Sequence, residues 1–205
     1  MLAIIDYGIG NIRSVQNAFE HLGASTVLTR QPEEIEKASG VILPGVGAFG
    51  EGMRRLDTHA LRPALEAAIR SGKPILSICL GFQMLMQSST EQGFFTGLGY
   101  LPLDVIRLPV DARLPHIGWS EVRTPTASLG PSRLMDGLEG EFFYFVHSYA
   151  VVQRDEDSIL ATAAYGGCEF MALVEVGNVF GTQFHPEKSG EAGLELLRNF
   201  TTLTK

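Results

Sequence analysis

An apolar, β-prone segment, residues 74–78, runs straight into Cys79, and a helix-compatible segment, residues 80–87, follows at once. A chain that passes from strand to helix through one residue is tightly constrained. That residue sits on a sharp turn at the strand's carboxyl end, with its side chain exposed, which is the geometry a nucleophile needs. The amino end of the next helix also points N–H groups and partial positive charge at the sulfur, favouring the thiolate. Free cysteines are commonly buried and inert, so it is this setting that makes Cys79 a candidate. Gly81 lets the chain turn tightly where a Cβ would crowd the elbow.

The first half of the chain repeats this strand–helix alternation. Residues 2–6, 26–29 and 41–43 read as short strands. Asn11 is placed to cap a helix whose Ile12, Val15, Phe19 and Leu22 share one face, and Gly23 stops it. Pro32 opens a short helix to Lys37, and helical patterns cover residues 50–56 and 61–69. Such alternation predicts a parallel sheet covered on both faces. The second half is richer in β-structure, with strands expected over residues 142–152, 159–164, 170–176 and 179–184. Gly177-Asn178 is a hairpin turn, and residues 190–202 form a closing helix with Leu194, Leu197 and Leu203 inward. With 205 residues the chain is long enough for one well-buried domain and too short for two ordinary ones. The expectation is one α/β domain over residues 1–205, with an open, mostly parallel central sheet, flanking helices and a ligand site at the strands' carboxyl ends.

A net charge of −7 with no Lys/Arg cluster argues against broad nucleic-acid binding. No apolar run approaches a membrane span, and residues 1–6 read as a buried strand rather than a signal peptide. Two cysteines, Cys79 and Cys168, leave one disulfide arithmetically open, but nothing else suggests secretion. A reducing, cytoplasmic setting is therefore expected, and it suits a free thiol. No His, Cys or carboxylate pair has convincing zinc spacing, so neither metal nor cofactor is expected.

Downstream, Gln183-Phe184-His185-Pro186-Glu187-Lys188-Ser189 ends another apolar strand. Pro186 holds His185 extended, and Glu187 would then project on the same side, where it could orient the imidazole. A cysteine, a histidine and a carboxylate are the parts of a thiol-dependent acyl-transfer site. Lys188 reads as a solvated charge or structural partner. The run Leu43-Pro44-Gly45-Val46-Gly47-Ala48-Phe49-Gly50 places three glycines after a strand, which permits N–H groups to face an oxyanion. A phosphate cradle is the rival, but neither Gly-x-x-x-x-Gly-Lys-Ser/Thr nor Gly-x-Gly-x-x-Gly is present. A plain glycine-rich turn is the third possibility. His147, sharing a strand face with Phe145 and Tyr149, reads as a satisfied core histidine.

These segments together resemble the class I (triad) glutamine amidotransferases. Asp6-Tyr7-Gly8-Ile9-Gly10-Asn11, the 43–49 loop, Pro115-His116-Ile117-Gly118-Trp119, Tyr144-Phe145-Val146-His147-Ser148-Tyr149 and residues 181–189 resemble one branch, the glutaminase subunit of imidazole glycerol phosphate synthase. The resemblance implies that Cys79 attacks the carboxamide of L-glutamine, that His185 shuttles protons and that Glu187 orients it. It assigns the oxyanion to Gly47 and the Leu80 N–H, and glutamine binding to Gln83, Glu91, His147, Ser148 and Tyr149. It further implies a heterodimer with a (β/α)₈-barrel cyclase subunit, docked at Pro115, His116, Ile117, Gly118 and Trp119 and fed with ammonia. Ser77 departs from the family's usual glycine two residues before the cysteine, and Ser120 from its asparagine. The alternatives are a paralogous amidotransferase of surface-sugar biosynthesis, a pyridoxal 5′-phosphate synthase glutaminase, against which Pro44-Gly45-Val46-Gly47 argues, and a non-catalytic regulatory subunit.

Overall fold

The structure is a computed structural model that describes residues 1–124, 131–152 and 159–205. Its first half is strand–helix alternation: β1 (Leu2–Ile5), α1 (Ile12–His21), β2 (Thr26–Thr29), α2 (Pro32–Lys37), β3 (Gly40–Leu43), α3 (Phe49–Thr58), α4 (Arg62–Arg70), β4 (Ile75–Ile78) and α5 (Leu80–Met84). All four residues of each of β1, β3 and β4 are buried, as strands covered on both faces must be. Their side chains alternate between two cores. Leu2, Ile4, Ile42, Leu76 and Ile78 pack with Val15 and Phe19 of α1; Ala3, Ile5, Val41, Leu43 and Ile75 pack with Ile35, Leu56, Leu65 and Leu80 from α2 to α5.

Beyond α5 the chain builds β5 (Met86–Ser89), β6 (Phe95–Thr96), β7 (Leu101–Arg107), β8 (His116–Glu121), β9 (Phe142–His147) and β10 (Tyr149–Ala150). It then forms β11 (Ile159–Tyr165), β12 (Cys168–Val176), β13 (Val179–Thr182), a 3₁₀ turn (Pro186–Lys188) and α6 (Gly190–Leu203). The main sheet has seven strands in the order β11-β12-β13-β4-β3-β1-β2. Strands β2, β1, β3, β4 and β13 run parallel, and β12 and β11 complete an antiparallel edge. Gly177 and Asn178 make the β12–β13 turn, with Val176 opposite Val179.

Several local expectations need correction. The helix after Cys79 ends at Met84, because Met86, Ser88 and Ser89 pair with β7 in a second, four-stranded sheet, β10-β7-β5-β6. The stretch 142–152 is two strands, not one. His147 closes the β9 ladder with β8, and Tyr149 pairs instead with Arg107 of β7. Asn11 caps α1 only through its carbonyl, which accepts the N–H of Ser14 at 3.1 Å. On α6, Leu197 is buried as expected, Leu194 and Leu203 pack against the same core while partly buried, and Leu196 and Phe200 join the buried set.

Candidate active site

Three neighbouring parallel strands deliver the candidate residues to one place. Strand β3 ends at the glycine loop, β4 at Cys79, and β13 leads through Gln183 to His185. Cys79 has φ 53° and ψ −104°, a left-handed backbone that side chains rarely adopt and that marks the strained elbow. The elbow is tied down on both sides. The Cys79 N–H donates to the Thr182 carbonyl at 2.7 Å, and the Leu80 N–H to the Gly45 carbonyl at 3.3 Å. Gly81 is explained by close approach: a Cβ there would lie 1.9 Å from the Leu43 carbonyl oxygen. Gly45 is equally confined, since a Cβ would meet the Tyr7 hydroxyl at 2.2 Å. That hydroxyl donates to the Pro44 carbonyl at 2.7 Å and so buttresses the loop. Burial, with a smaller push from Cys79, raises the Tyr7 pKa and keeps the phenol protonated.

His185 and Glu187 are both buried, and His185 Nδ1 meets Glu187 Oε1 at 2.8 Å. His185 itself is extended, as expected, but the pairing with Glu187 is made through the 3₁₀ turn that follows rather than by continued extended backbone. Ser189 holds that turn: its hydroxyl donates to the His185 carbonyl at 2.7 Å and accepts the Tyr144 N–H at 3.0 Å. Gly193 lets α6 close over it, because a Cβ there would lie 1.9 Å from the Pro186 carbonyl oxygen. Burial works to lower the His185 pKa, but Cys79 and then Glu187 outweigh it and lift the ring to about 10. Nε2 of His185 has no hydrogen-bond partner among the described residues, leaving it available to a reacting group.

Cys79 is buried, at 6% exposure, rather than exposed as expected, and it lines a cavity of about 380 Å³ with Val46, Gly47, Gln83, Glu91, Pro115, His147, Ser148 and Tyr149 among others. Every residue expected to bind glutamine therefore lines one space with the thiol. Their polar atoms are partly committed. Both Gln83 amide N–H groups are spent, on the Tyr149 carbonyl at 2.9 Å and on Gln183 Oε1 at 3.0 Å. Glu91 accepts the Phe49 N–H, at the start of α3, at 2.8 Å. The Leu80 N–H assigned to the oxyanion is, in this conformation, held by Gly45, while Gly47 stands at φ +111°. Gln183 was not singled out by sequence; buried beside the thiol, it points Nε2 at Cys79 Sγ from 3.7 Å. Ser77 is fully buried and its hydroxyl has no partner among the described residues, so its departure from glycine costs an unsatisfied polar atom, with no positive φ at that residue.

The expected partner surface needs one correction. His116 is only 2% exposed and faces inward, hydrogen-bonded to His147 and Ser120 and stacked on Tyr165. The cause is the strand period: β8 sends alternate residues to opposite faces. Ile117 and Trp119 are 60% and 53% exposed, joined by Phe142 of β9 at 52%, and Pro115 is exposed at the cavity rim. Lys188 is exposed, with Nζ 5.8 Å from the Tyr144 ring.

Comparison with known proteins follows this geometry. Residues 3–203 match the family model for glutamine amidotransferase class-I. The chain is 47% identical to the imidazole glycerol phosphate synthase subunit HisH of Moorella thermoacetica, over all of this chain and 95% of that one. It is 46% identical to the subunit of the same name from Methanothermobacter thermautotrophicus, over the whole of both chains. Among solved structures, a glutamine amidotransferase superimposes with a TM-score of 0.76 over 98% of both chains at 20% identity. PurLQS from Thermotoga maritima gives 0.75 over all of this chain and 98% of that one at 21% identity. These two likenesses bear on the fold alone.

Proposed function

The chain belongs to the class-I glutamine amidotransferases, an enzyme family, and we propose that it is the glutaminase subunit of an imidazole glycerol phosphate synthase in histidine biosynthesis. The observation that carries the chemistry is Cys79 on a strained elbow, opening into the cavity beside the buried His185–Glu187 pair. The pathway rests on identity of 46–47% along the full chain to two subunits of that name from distant organisms.

The reaction follows from the groups present. The Cys79 thiolate attacks the carboxamide carbon of glutamine, and its π electrons move onto oxygen as a tetrahedral oxyanion. Imidazolium His185 donates its Nε2 proton to the departing nitrogen, the C–N bond breaks, and ammonia leaves a γ-glutamyl thioester. His185 then takes a proton from water, the hydroxide attacks the thioester, and glutamate departs as the thiolate reforms. Glu187 holds Nδ1–H and stabilises the imidazolium. The oxyanion takes backbone donors from Leu80 and the Val46–Gly47 region. Because the Leu80 N–H is held by Gly45, the loop must shift to release it. That shift gives a physical route by which a docked cyclase subunit raises the rate, so that glutamine is not hydrolysed idly.

The test is glutamate release by the purified chain, alone and with a histidine-pathway cyclase subunit and its nucleotide ligand. A rise of at least about tenfold on adding both, lost in Cys79→Ala, is expected. Activity that ignores the cyclase would keep the glutaminase and reject the pathway. Equal activity in Cys79→Ala would reject both.

A further inference from the structure

The cavity wall at residues 147–149 is hydrogen-bonded, atom by atom, to the strand that carries exposed Trp119. His147 Nδ1 lies 2.9 Å from the Tyr149 carbonyl, His147 Nε2 lies 3.2 Å from His116 Nδ1, and His116 Nε2 lies 3.0 Å from Ser120 Oγ. Burial lowers the pKa of His147 to about 3 and of His116 to about 4, so both rings are neutral near pH 7. A neutral imidazole carries one proton, and a carbonyl only accepts. His147 must therefore protonate Nδ1 and offer a lone pair at Nε2. His116 Nδ1 must donate to that lone pair, which leaves His116 Nε2 as an acceptor, and among the described residues the Ser120 hydroxyl is the one placed to donate there. Each atom has one available role.

We propose that Ser120 and His116 are positioning residues for the glutamine cavity: the Tyr149 carbonyl sets the tautomer of His147 and, through it, that of His116, and the Ser120 hydroxyl, donating to His116 Nε2, completes the relay and holds both rings in their seats. The packing suits such a device. His116 stacks between Tyr165, with ring centroids 4.2 Å apart, and Phe145, at 5.2 Å, so the ring is held against rotation. Two consequences follow. His147 has no ring nitrogen left for substrate, and it serves the cavity by fixing the Tyr149 carbonyl, which also anchors Gln83. Ser120 follows the exposed Trp119 on β8, so a contact that displaces this strand is transmitted to the cavity wall. This deepens the glutaminase reading and rests on it.

The test begins with the ligand-free wild-type chain, by long-range ¹H–¹⁵N imidazole correlation. His147 and His116 are both expected to be protonated at Nδ1, and an Nε2 proton on His147 would overturn the relay. In Ser120→Ala, His116 keeps its Nδ1 proton on His147, but its buried Nε2 is left without a donor and the two rings lose the bond that seats them. The KM for glutamine should then rise about three- to tenfold with kcat changed less than about twofold. Ser120→Thr, which keeps the hydroxyl, should restore the bond to His116 and with it KM. A wild-type KM in Ser120→Ala, or a Ser120→Thr chain that folds and is no better than alanine, would refute the proposal. Should Ser120→Ala fail to fold, the wild-type tautomers still decide. Absence of any glutamate release by the wild type with its partner would sink the glutaminase reading and leave the tautomer result standing separately.

Discussion

At the scale of single residues, the elbow's demands are steric and quantitative. Gly81 has a carbonyl oxygen where its Cβ would be, at 1.9 Å, and that neighbour is backbone of a buried strand. Gly81→Ala should cost about 3 kcal/mol or more, measured by urea unfolding; a loss under about 1 kcal/mol would mean the elbow is far softer than described. Ser77 makes the opposite case. Its hydroxyl is buried without a partner among the described residues, so Ser77→Ala should raise stability by about 1 kcal/mol, and a clear loss would show that the hydroxyl has a donor or acceptor after all. The catalytic candidates were legible because each sits at a junction with a local signature: Cys79 between strand and helix, His185 before proline, the glycine run after a strand. Gln183 and Tyr7 carry no such signature. Both act through contacts made by the fold, Gln183 across to Gln83 and Tyr7 onto the Pro44 carbonyl, and no spacing along the chain announces them.

At the scale of elements, the inner face of the β8–β9 ribbon couples stability to pH. His116 and His147 are held neutral by burial, with pKa values of about 4 and 3 against an ordinary 6.5. Below pH 6.5 the unfolded chain takes up protons that the native ribbon refuses, so stability falls as pH drops through the window from 6.5 toward 3. His185 has the other sign. Its raised pKa stabilises the native state fully below pH 6.5, and that contribution is lost as pH rises through about 10. The urea midpoint should therefore decline from pH 7 to pH 4, and a midpoint constant over that range would contradict the burial described. The parallel half of the sheet was readable, since apolar runs alternate with amphipathic helices in order. The second sheet was not. The pairing of β5 with β7 overrides a helix-compatible sequence, and the break at Ser148 depends on which sheet each neighbour finds. The placement of His116 was recoverable from period-2 alternation, which puts His116 and Gly118 on the face opposite Ile117 and Trp119.

For the molecule as a whole, the candidate cavity and the exposed apolar face of the ribbon are two sides of one thin structure. Pro115 reaches the cavity rim, while Ile117, Trp119 and Phe142 face outward. An exposed tryptophan flanked by apolar side chains is the composition of an interface centre. Trp119→Ala should weaken binding to the cyclase subunit by about tenfold or more, measured by calorimetric titration, and unchanged affinity would move the interface elsewhere. The two thiols give the central claim its sharpest contrast. Cys79 is the more buried of the two and lines the cavity at the elbow, while Cys168 is half-buried on β12, its pKa raised by burial and by Glu169, which disfavours its thiolate. The most direct measurement is mass spectrometry of the chain treated with an electrophilic glutamine analogue, with and without excess glutamine. One adduct on the Cys79 peptide, suppressed by glutamine and absent from Cys168, is the expected result. Labelling at Cys168 instead, or glutamate release that survives Cys79→Ala, would contradict the account.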